Sequence, residues 1–286
     1  MKLVTIMDYC DSNYVSMCKI WIYLARRFNP EAEIYIFSQN DIDEIQNFAL
    51  RFNKIYFRKL PLLSFLQRSQ VKGKVDKTCH DVKLALWPAI EQCRLRKFIY
   101  VDADAFILNT LSPWWKIIDS KPFIAVPERI INRKILYNAG VFSYSSSNNF
   151  ITLQKLKKQY EIDHNKIVLP SSDQGLLNSY FRRINYIAHL QQIDYSYNCM
   201  AKNCKVEDAS DNKIQITTGN YAGFERYGRR LLGIQEDWWE GWLGWNKKLQ
   251  VNILHSFGGK GFKFWELKEC QALWNYCVSK VNLYST

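Results

Sequence analysis

Three features of the sequence predict an α/β fold. Apolar runs of strand length alternate with longer segments of helical period through the first hundred residues. The run Phe98-Ile99-Tyr100-Val101 reads as a short strand covered on both faces. A chain of 286 residues with 48% hydrophobic content can bury one large core, and no Pro/Gly/Ser-rich linker divides it. The expectation is a single domain over 1–286.

The elements follow in order. Residues 2–7 open as a strand. A polar turn from Asp8 to Asn13 precedes an apolar-periodic helix over 14–28, which stops before Pro30. Residues 33–37 alternate as a second strand, and Asp41-Ile42-Asp43-Glu44 begins a helix with charge suited to its positive end. Residues 54–60 read as a third strand, and the basic stretch 68–77, containing Gly73, as a loop. Thr78-Cys79-His80-Asp81 has capping-box spacing ahead of a helix over 82–93, which Pro88 bends or interrupts. That helix feeds the strand that carries Tyr100.

Beyond it, residues 124–126 are strand-like, and 137–144 begins polar and small before alternating, with Gly140 marking a close backbone approach. Asn149 or a nearby Ser caps a helix over 150–160, whose Lys155, Lys157 and Lys158 form a solvated face. Ser171-Ser172 cap a helix over 173–181, leaving Asp173 and Gln174 in its first turn. An acid there is more often a partner of the helix dipole than a catalyst. Tyr195-Ser196-Tyr197-Asn198 and a polar stretch to Asn212 lead into a basic, glycine-punctuated segment, 219–233. The tryptophan-rich 237–245 that follows is either an acceptor-binding platform or lid, or a cluster at the edge of the core. Residues 251–254 form a last strand ending at His255, and 266–286 a C-terminal helix.

A formal charge of +12 points to anionic company: phosphates, an acidic acceptor, a membrane surface or nucleic acid. No nucleic-acid-binding motif is present, so nucleic acid is not an expected partner. The N-terminus lacks the apolar region and cleavage site of a signal peptide, and no apolar run reaches membrane-span length. These features predict a soluble cytoplasmic chain, with peripheral membrane association through its basic surface as an alternative. Eight cysteines without Cys-x-x-Cys pairs predict reduced, buried small hydrophobes rather than zinc ligands.

The chemistry concentrates at Asp102-Ala103-Asp104, where the central strand ends. Alternate residues of an extended chain project to one side, and two close carboxylates repel unless a cation lies between them. Oxygen donors suit Mg²⁺ or Mn²⁺, ions that also bind phosphate, so the pair reads as a metal-bridged diphosphate site. A lone Asp-x-Asp is more often a solvated turn at a strand end, because the tripeptide is frequent by chance. In open α/β sheets ligands bind beyond the carboxyl ends of strands, where the turn after the first strand and the Asp102/Asp104 pair face one crevice.

The order Lys83-Leu84, Asp102-Ala103-Asp104, Asn138-Ala139-Gly140-Val141-Phe142, Asp173-Gln174-Gly175-Leu176-Leu177-Asn178, Tyr197-Asn198 and His255-x-x-Gly258…Lys263-Phe264-Trp265 resembles the glycogenin-like retaining glycosyltransferases, relatives of the bacterial lipopolysaccharide galactosyltransferases. The resemblance implies a Rossmann-like GT-A fold, with a central mixed sheet flanked by helices. Residues 1–110 would then be mainly nucleotide-binding and 111–265 mainly concerned with donor sugar and acceptor. It implies Mn²⁺ or Mg²⁺ held by Asp102, Asp104 and His255, with Ala103 near the ribose of a UDP-sugar. Ile6, Met7 and Asp8, with Tyr14, would hold the uracil; altered spacing leaves either Asp8 or Asp11 facing the base. Lys83 would lie near the phosphates and donor sugar, Asn138 would hold sugar hydroxyls, and Asp173 and Gln174 would line the donor sugar. Gln174 would lie near the reacting carbon. Gly258 would admit backbone amides to the diphosphate, which Lys263 by its neighbour Trp265, or else Lys260, would reach. The function implied is transfer of a hexose, glucose or galactose, to a hydroxyl of a glycan or glycolipid such as lipopolysaccharide or surface polysaccharide. A protein-directed or self-glycosylating transferase and a non-catalytic nucleotide-sugar-binding protein are the alternatives.

Overall fold

The computed structural model of the chain describes residues 1–8, 11–63, 83–131, 134–146, 150–165, 173–188, 190, 192–193, 195–201, 204–211, 213–218, 250–256 and 263–284. Four parallel strands, β1 (Lys2–Ile6), β2 (Glu33–Ser38), β3 (Ile55–Lys59) and β4 (Lys97–Val101), share a six-stranded sheet with β6 (Phe123–Ile131) and β7 (Lys134–Ser145), in the order β3-β2-β1-β4-β7-β6. β7 runs antiparallel to β4 and β6 antiparallel to β7, so the sheet is mixed. β5 (Ala105–Ile107), β8 (Cys199–Met200) and β11 (Ile253–His255) form a small second sheet, with β11 in its middle. β9 (Cys204–Ala209) and β10 (Ile214–Thr218) pair by themselves.

Strand alternation builds the core. Leu3, Ile34, Ile36, Ile99, Val101 and Val141 point to one face of the large sheet, where α1 (Ser12–Phe28) contributes Met17, Ile20, Trp21 and Leu24. Val4, Phe37, Phe98, Tyr100, Phe142 and Tyr144 point to the other, covered by Trp87 and Ile90 of α3 (Leu86–Gln92) and Leu177, Tyr180 and Phe181 of α6 (Asp173–Arg183). Phe142 stacks between Tyr100 and Phe123, with centroids 4.8 Å from each. β4 is therefore buried on both faces, as its apolar run predicts.

Several boundaries differ from the expected ones for identifiable reasons. The polar Ser12-Asn13 belongs to α1 rather than to the preceding turn, because the Asp11 carboxylate caps that helix by accepting from Tyr14 N at 2.9 Å. α2 (Asp43–Ala49) starts within the acidic cluster as expected. Helical residues 83–84 are separated from α3 by a turn at Ala85. Pro88 has no N–H for the carbonyl of Leu84, so the interruption falls where the sequence places it. α4 (Ser112–Ile117) carries Pro113 near its start. α5 (Leu153–Asn165) begins later than expected, with Thr152 Oγ1 accepting from Lys155 N at 3.2 Å. β9 occupies part of what reads as a polar stretch, and β10 follows that stretch: charged Lys205 and Glu207 face solvent, in alternation with buried Cys204 and Val206. The C-terminal helix is α7 (Gln271–Leu283). The predicted cap at 78–81, the loop 68–77, the cap at 171–172 and the tryptophan-rich 237–245 lie outside the described residues.

All six described cysteines are free, and five of them are buried. Among the described residues no helix is long and apolar enough to cross a membrane.

Candidate active site

β4 ends by delivering Asp102 to the sheet's carboxyl edge, where Asp102 N donates to Gly140 O at 2.7 Å and so keeps β7 alongside. The chain turns at 102–104 and enters β5, whose antiparallel register with β11 sets Ala105 opposite His255. Ser256 N donates to Asp104 O at 2.8 Å, tying the end of β11 to the same turn. Two sheets thus converge on one short acidic segment.

The side chains converge with them. His255 Nε2 lies 3.4 Å from Asp104 Oδ1 and 4.0 Å from Asp102 Oδ2. Lys83 Nζ donates to Asp102 Oδ2 at 2.8 Å and lies 3.5 Å from Asp173 Oδ2. Lys263 Nζ donates to Asp104 Oδ2 at 3.0 Å. The Tyr100 hydroxyl donates to Asp102 Oδ1 at 2.6 Å, and His255 Nδ1 meets Asn198 Oδ1 at 2.8 Å. The charged side chains keep between 8% and 22% of their surface exposed, so they line a crevice rather than lie sealed in the core.

Electrostatics distinguish the two acids. Burial drives the Asp102 pKa up, Lys83 opposes it, and the neighbouring Asp104 charge adds to the rise. Burial also works against ionisation of Asp104, but its contacts with His255 and then Lys263 outweigh this and hold its carboxyl well below the usual range. Lys83 loses hydration on burial, yet Asp102 and Asp173 more than compensate and raise its pKa. Burial, reinforced by Asp102, keeps the Tyr100 phenol protonated, and Tyr14 lies near enough to add to that rise.

A divalent cation fits this set. Asp102, Asp104 and His255 each offer a donor atom, all within 4.8 Å of one another, and two hard oxygens with one imidazole suit Mn²⁺. Among the described residues, the Asp102, Asp104 and Asp173 carboxylates meet the Lys83 and Lys263 ammonium groups in this crevice. The backbone of Gly140 makes the close approach possible: a Cβ there would sit 2.4 Å from His255 Cε1 and 2.5 Å from Asp102 Oδ2.

Other predicted residues frame the crevice. Asn138 Oδ1 accepts from Gly140 N at 2.7 Å, and Gln174 Oε1 accepts from Ala139 N at 3.1 Å, so both amides are fixed to β7. Asn178, also on α6, accepts from Tyr137 N and donates to Tyr137 O, each at 2.8 Å. Pro127, opposite Tyr137 in the register, has no N–H to offer. Asn178→Ala strands buried backbone groups and is expected to cost about 2–3 kcal/mol, read as a lower urea midpoint. An unchanged midpoint would show that those hydrogen bonds are replaced.

At the end of β1, Ile6 lies beside Phe37 in the register, Met7 is fully buried, and Met7 N donates to Phe37 O at 2.9 Å. Asp8 Oδ1 accepts from Ser38 Oγ, Gln39 N, Asn40 N and Asn40 Nδ2 at 2.7–3.2 Å, so this acid fastens the turn after β2. Asp8 and Asp11 both have local structural work that spacing alone does not reveal. Ala103 is buried between the two acids. Gly258 and Lys260 lie outside the described residues. Tyr100 and Asn198 were not among the expected site residues. The first could be found from its place two residues before Asp102 on one strand face; the second stands in the motif order that carries the resemblance, but its place beside His255 follows only from the pairing of β8 with β11.

Sheet order, the antiparallel return at β7 and the acid pair at the carboxyl edge define a GT-A fold, the α/β architecture of many glycosyltransferases. Among solved structures, the chain resembles the galactosyltransferase LgtC in complex with donor and acceptor sugar analogs, with a TM-score of 0.66 and 15% identity over 100% of this chain and 95% of LgtC. It also resembles the apo-form glycosyltransferase GlyE of Streptococcus pneumoniae TIGR4, with a TM-score of 0.61 and 16% identity over 99% of this chain and 61% of GlyE. The apo form of mouse xyloside xylosyltransferase 1 gives a TM-score of 0.56 and 12% identity over 92% of this chain and 99% of that one. No protein-family model and no curated protein sequence matches the chain, so the likeness is one of fold.

Proposed function

We propose that the protein is a metal-dependent retaining glycosyltransferase that moves a hexose, glucose or galactose, from a UDP-sugar to a hydroxyl of a glycan or glycolipid. The observation that carries this reading is the convergence of Asp102, Asp104 and His255 with Lys83 and Lys263 at the carboxyl edge of a GT-A sheet. A bound Mn²⁺ or Mg²⁺ would neutralise diphosphate charge and stabilise the departing UDP.

The chain's own groups supply the rest. Lys83 and Lys263, now paired with Asp102 and Asp104, are placed to offset leaving-group charge as the bond from the anomeric carbon to the β-phosphate oxygen breaks. The electron pair of that bond stays on the phosphate oxygen. The acceptor oxygen bonds to the same face of the carbon, and its proton passes to the departing phosphate. Asn138 and Asp173 hold sugar hydroxyls. The hydrogen bond from Ala139 N fixes the Gln174 amide. An amide oxygen is a poor nucleophile, which favours a role in steadying positive charge at the reacting carbon. Asp8 or Asp11, with Tyr14, meets the base. Lys260 is the alternative to Lys263 for the diphosphate, and Gly258 would admit backbone amides to it; both lie outside the described residues.

The deciding measurement is UDP release from a panel of UDP-sugars, with Mn²⁺ and with chelator. Slow release from one sugar, lost on chelation, is the expected result; absence of any UDP binding would overturn the reading. Gln174→Ala is expected to slow release by about 10- to 100-fold with Mn²⁺ affinity unchanged, the scale of losing one positioned group. Full activity in that variant would remove Gln174 from the mechanism.

A further inference from the structure

The Asp102 and His255 side chains are each held by a buried neutral residue outside the donor set. Tyr100 is 1% exposed, its ring stacked 4.8 Å from Phe142, and its hydroxyl donates to Asp102 Oδ1 at 2.6 Å. This divides the carboxylate: Oδ1 faces the phenol, while Oδ2 faces Lys83, His255 and Gly140. Asn198 is also 1% exposed and precedes β8, whose parallel register with β11 sets Met200 beside His255. Its amide oxygen meets His255 Nδ1 at 2.8 Å. An amide oxygen only accepts, so Nδ1 donates to it and Nε2 is the ring nitrogen turned toward Asp104 Oδ1 and Asp102 Oδ2. A divalent cation seated between the two carboxylates would find Nε2 already facing it.

The geometry points to Tyr100 and Asn198 as positioning residues that preset Asp102 and His255 to receive a divalent cation, the phenol by fixing which carboxylate oxygen faces the site and the amide by fixing the imidazole tautomer. The inference rests on the metal-dependent reading above. Partners of this kind fix ring orientation and carboxylate rotamer, and removing one typically costs about 10- to 100-fold in metal affinity. Tyr100 holds its place by ring stacking, so Tyr100→Phe removes the donor while keeping the packing.

Two readouts on the full chain test it without recourse to turnover. The first is Mn²⁺ affinity, from electron paramagnetic resonance of the free hydrated ion. The second is the tautomer of His255, one of only four histidines, from imidazole ¹⁵N shifts in chelator. Tyr100→Phe and Asn198→Leu are expected to raise the Mn²⁺ Kd by about 10- to 100-fold, whereas Asn198→Asp, which keeps an acceptor for Nδ1–H, stays near wild type. The His255 proton is expected on Nδ1 in wild type and displaced toward Nε2 in Asn198→Leu. Folded Tyr100→Phe that binds Mn²⁺ as wild type does overturns the proposal, and so does wild-type His255 with no proton on Nδ1. If Asn198→Leu fails to fold, Tyr100→Phe and the wild-type tautomer still decide. Wild-type protein that binds no Mn²⁺ would sink the metal reading itself; wild-type binding with unchanged variants would sink only the positioning roles.

Discussion

Asp104→Asn is expected to abolish metal-dependent UDP release, with a fall on the order of 10²- to 10³-fold, the scale of several kcal/mol of lost transition-state stabilisation. The substitution keeps the side chain's size but removes the charge that faces His255 Nε2 at 3.4 Å and Lys263 Nζ at 3.0 Å. Asp104 is the acid whose ionised form the site favours, so its loss differs from the loss of a solvated surface carboxylate. The same measurement should show Mn²⁺ no longer raising UDP affinity. A variant that keeps metal-dependent release would remove Asp104 from the donor set and return the Asp-x-Asp to a turn.

Gly140→Ala is expected to be as damaging, though the residue carries no functional group. The added methyl would sit 2.4 Å from His255 Cε1, 2.5 Å from Asp102 Oδ2 and 2.9 Å from Asn138 Oδ1. None of these is the free end of a flexible chain: His255 is fixed by Asn198, Asp102 by Tyr100 and Lys83, and Asn138 by its bond to Gly140 N. Either β7 moves away from β4 or the three side chains separate, so the expected result combines about 1–3 kcal/mol of lost stability with loss of Mn²⁺ binding. Calorimetric titration with Mn²⁺ on the folded variant reads the second effect directly. Tight binding would mean that β7 yields more readily than its buried register implies.

Much of this was legible in the sequence because burial on two faces leaves an unmistakable composition. The run from Phe98 to Val101 can hardly be anything but an interior strand, and alternation placed β1 and β2 beside it. β9 escaped detection because every second residue faces water, which made Cys204-Lys205-Val206-Glu207 look like polar connection. β5 and β8 are too short, at 3 and 2 residues, to show any period. In the site, the acid pair announced itself by lying at a strand end. His255 and Lys263 could be nominated only through the resemblance, since nothing local in the chain says which histidine or lysine folds back onto Asp104. Local chemistry told only part of the story at the polar segment from Asp8 to Asn13: besides lying at the carboxyl end of β1, its acids cap α1 and fasten the turn after β2, work that the spacing does not reveal.

The small sheet formed by β5, β8 and β11 has a consequence for how the protein reaches its working state. Asp104 and Lys263 are 159 residues apart in the chain, and His255 ends the last strand among the described residues. Nascent chains would carry both acids long before the imidazole existed to join them, so cation affinity should rise steeply only once the C-terminal region has docked. Loop closure over that separation is slow relative to forming the local β1-α1-β2 unit. Cation binding and completion of folding then become one equilibrium: saturation to 100 times the dissociation constant would add about 2.7 kcal/mol to the stability of the finished fold and nothing to partly folded chains that lack β11. A cation bound at the proposed metal site would thereby act as a folding ligand as well as a catalytic one.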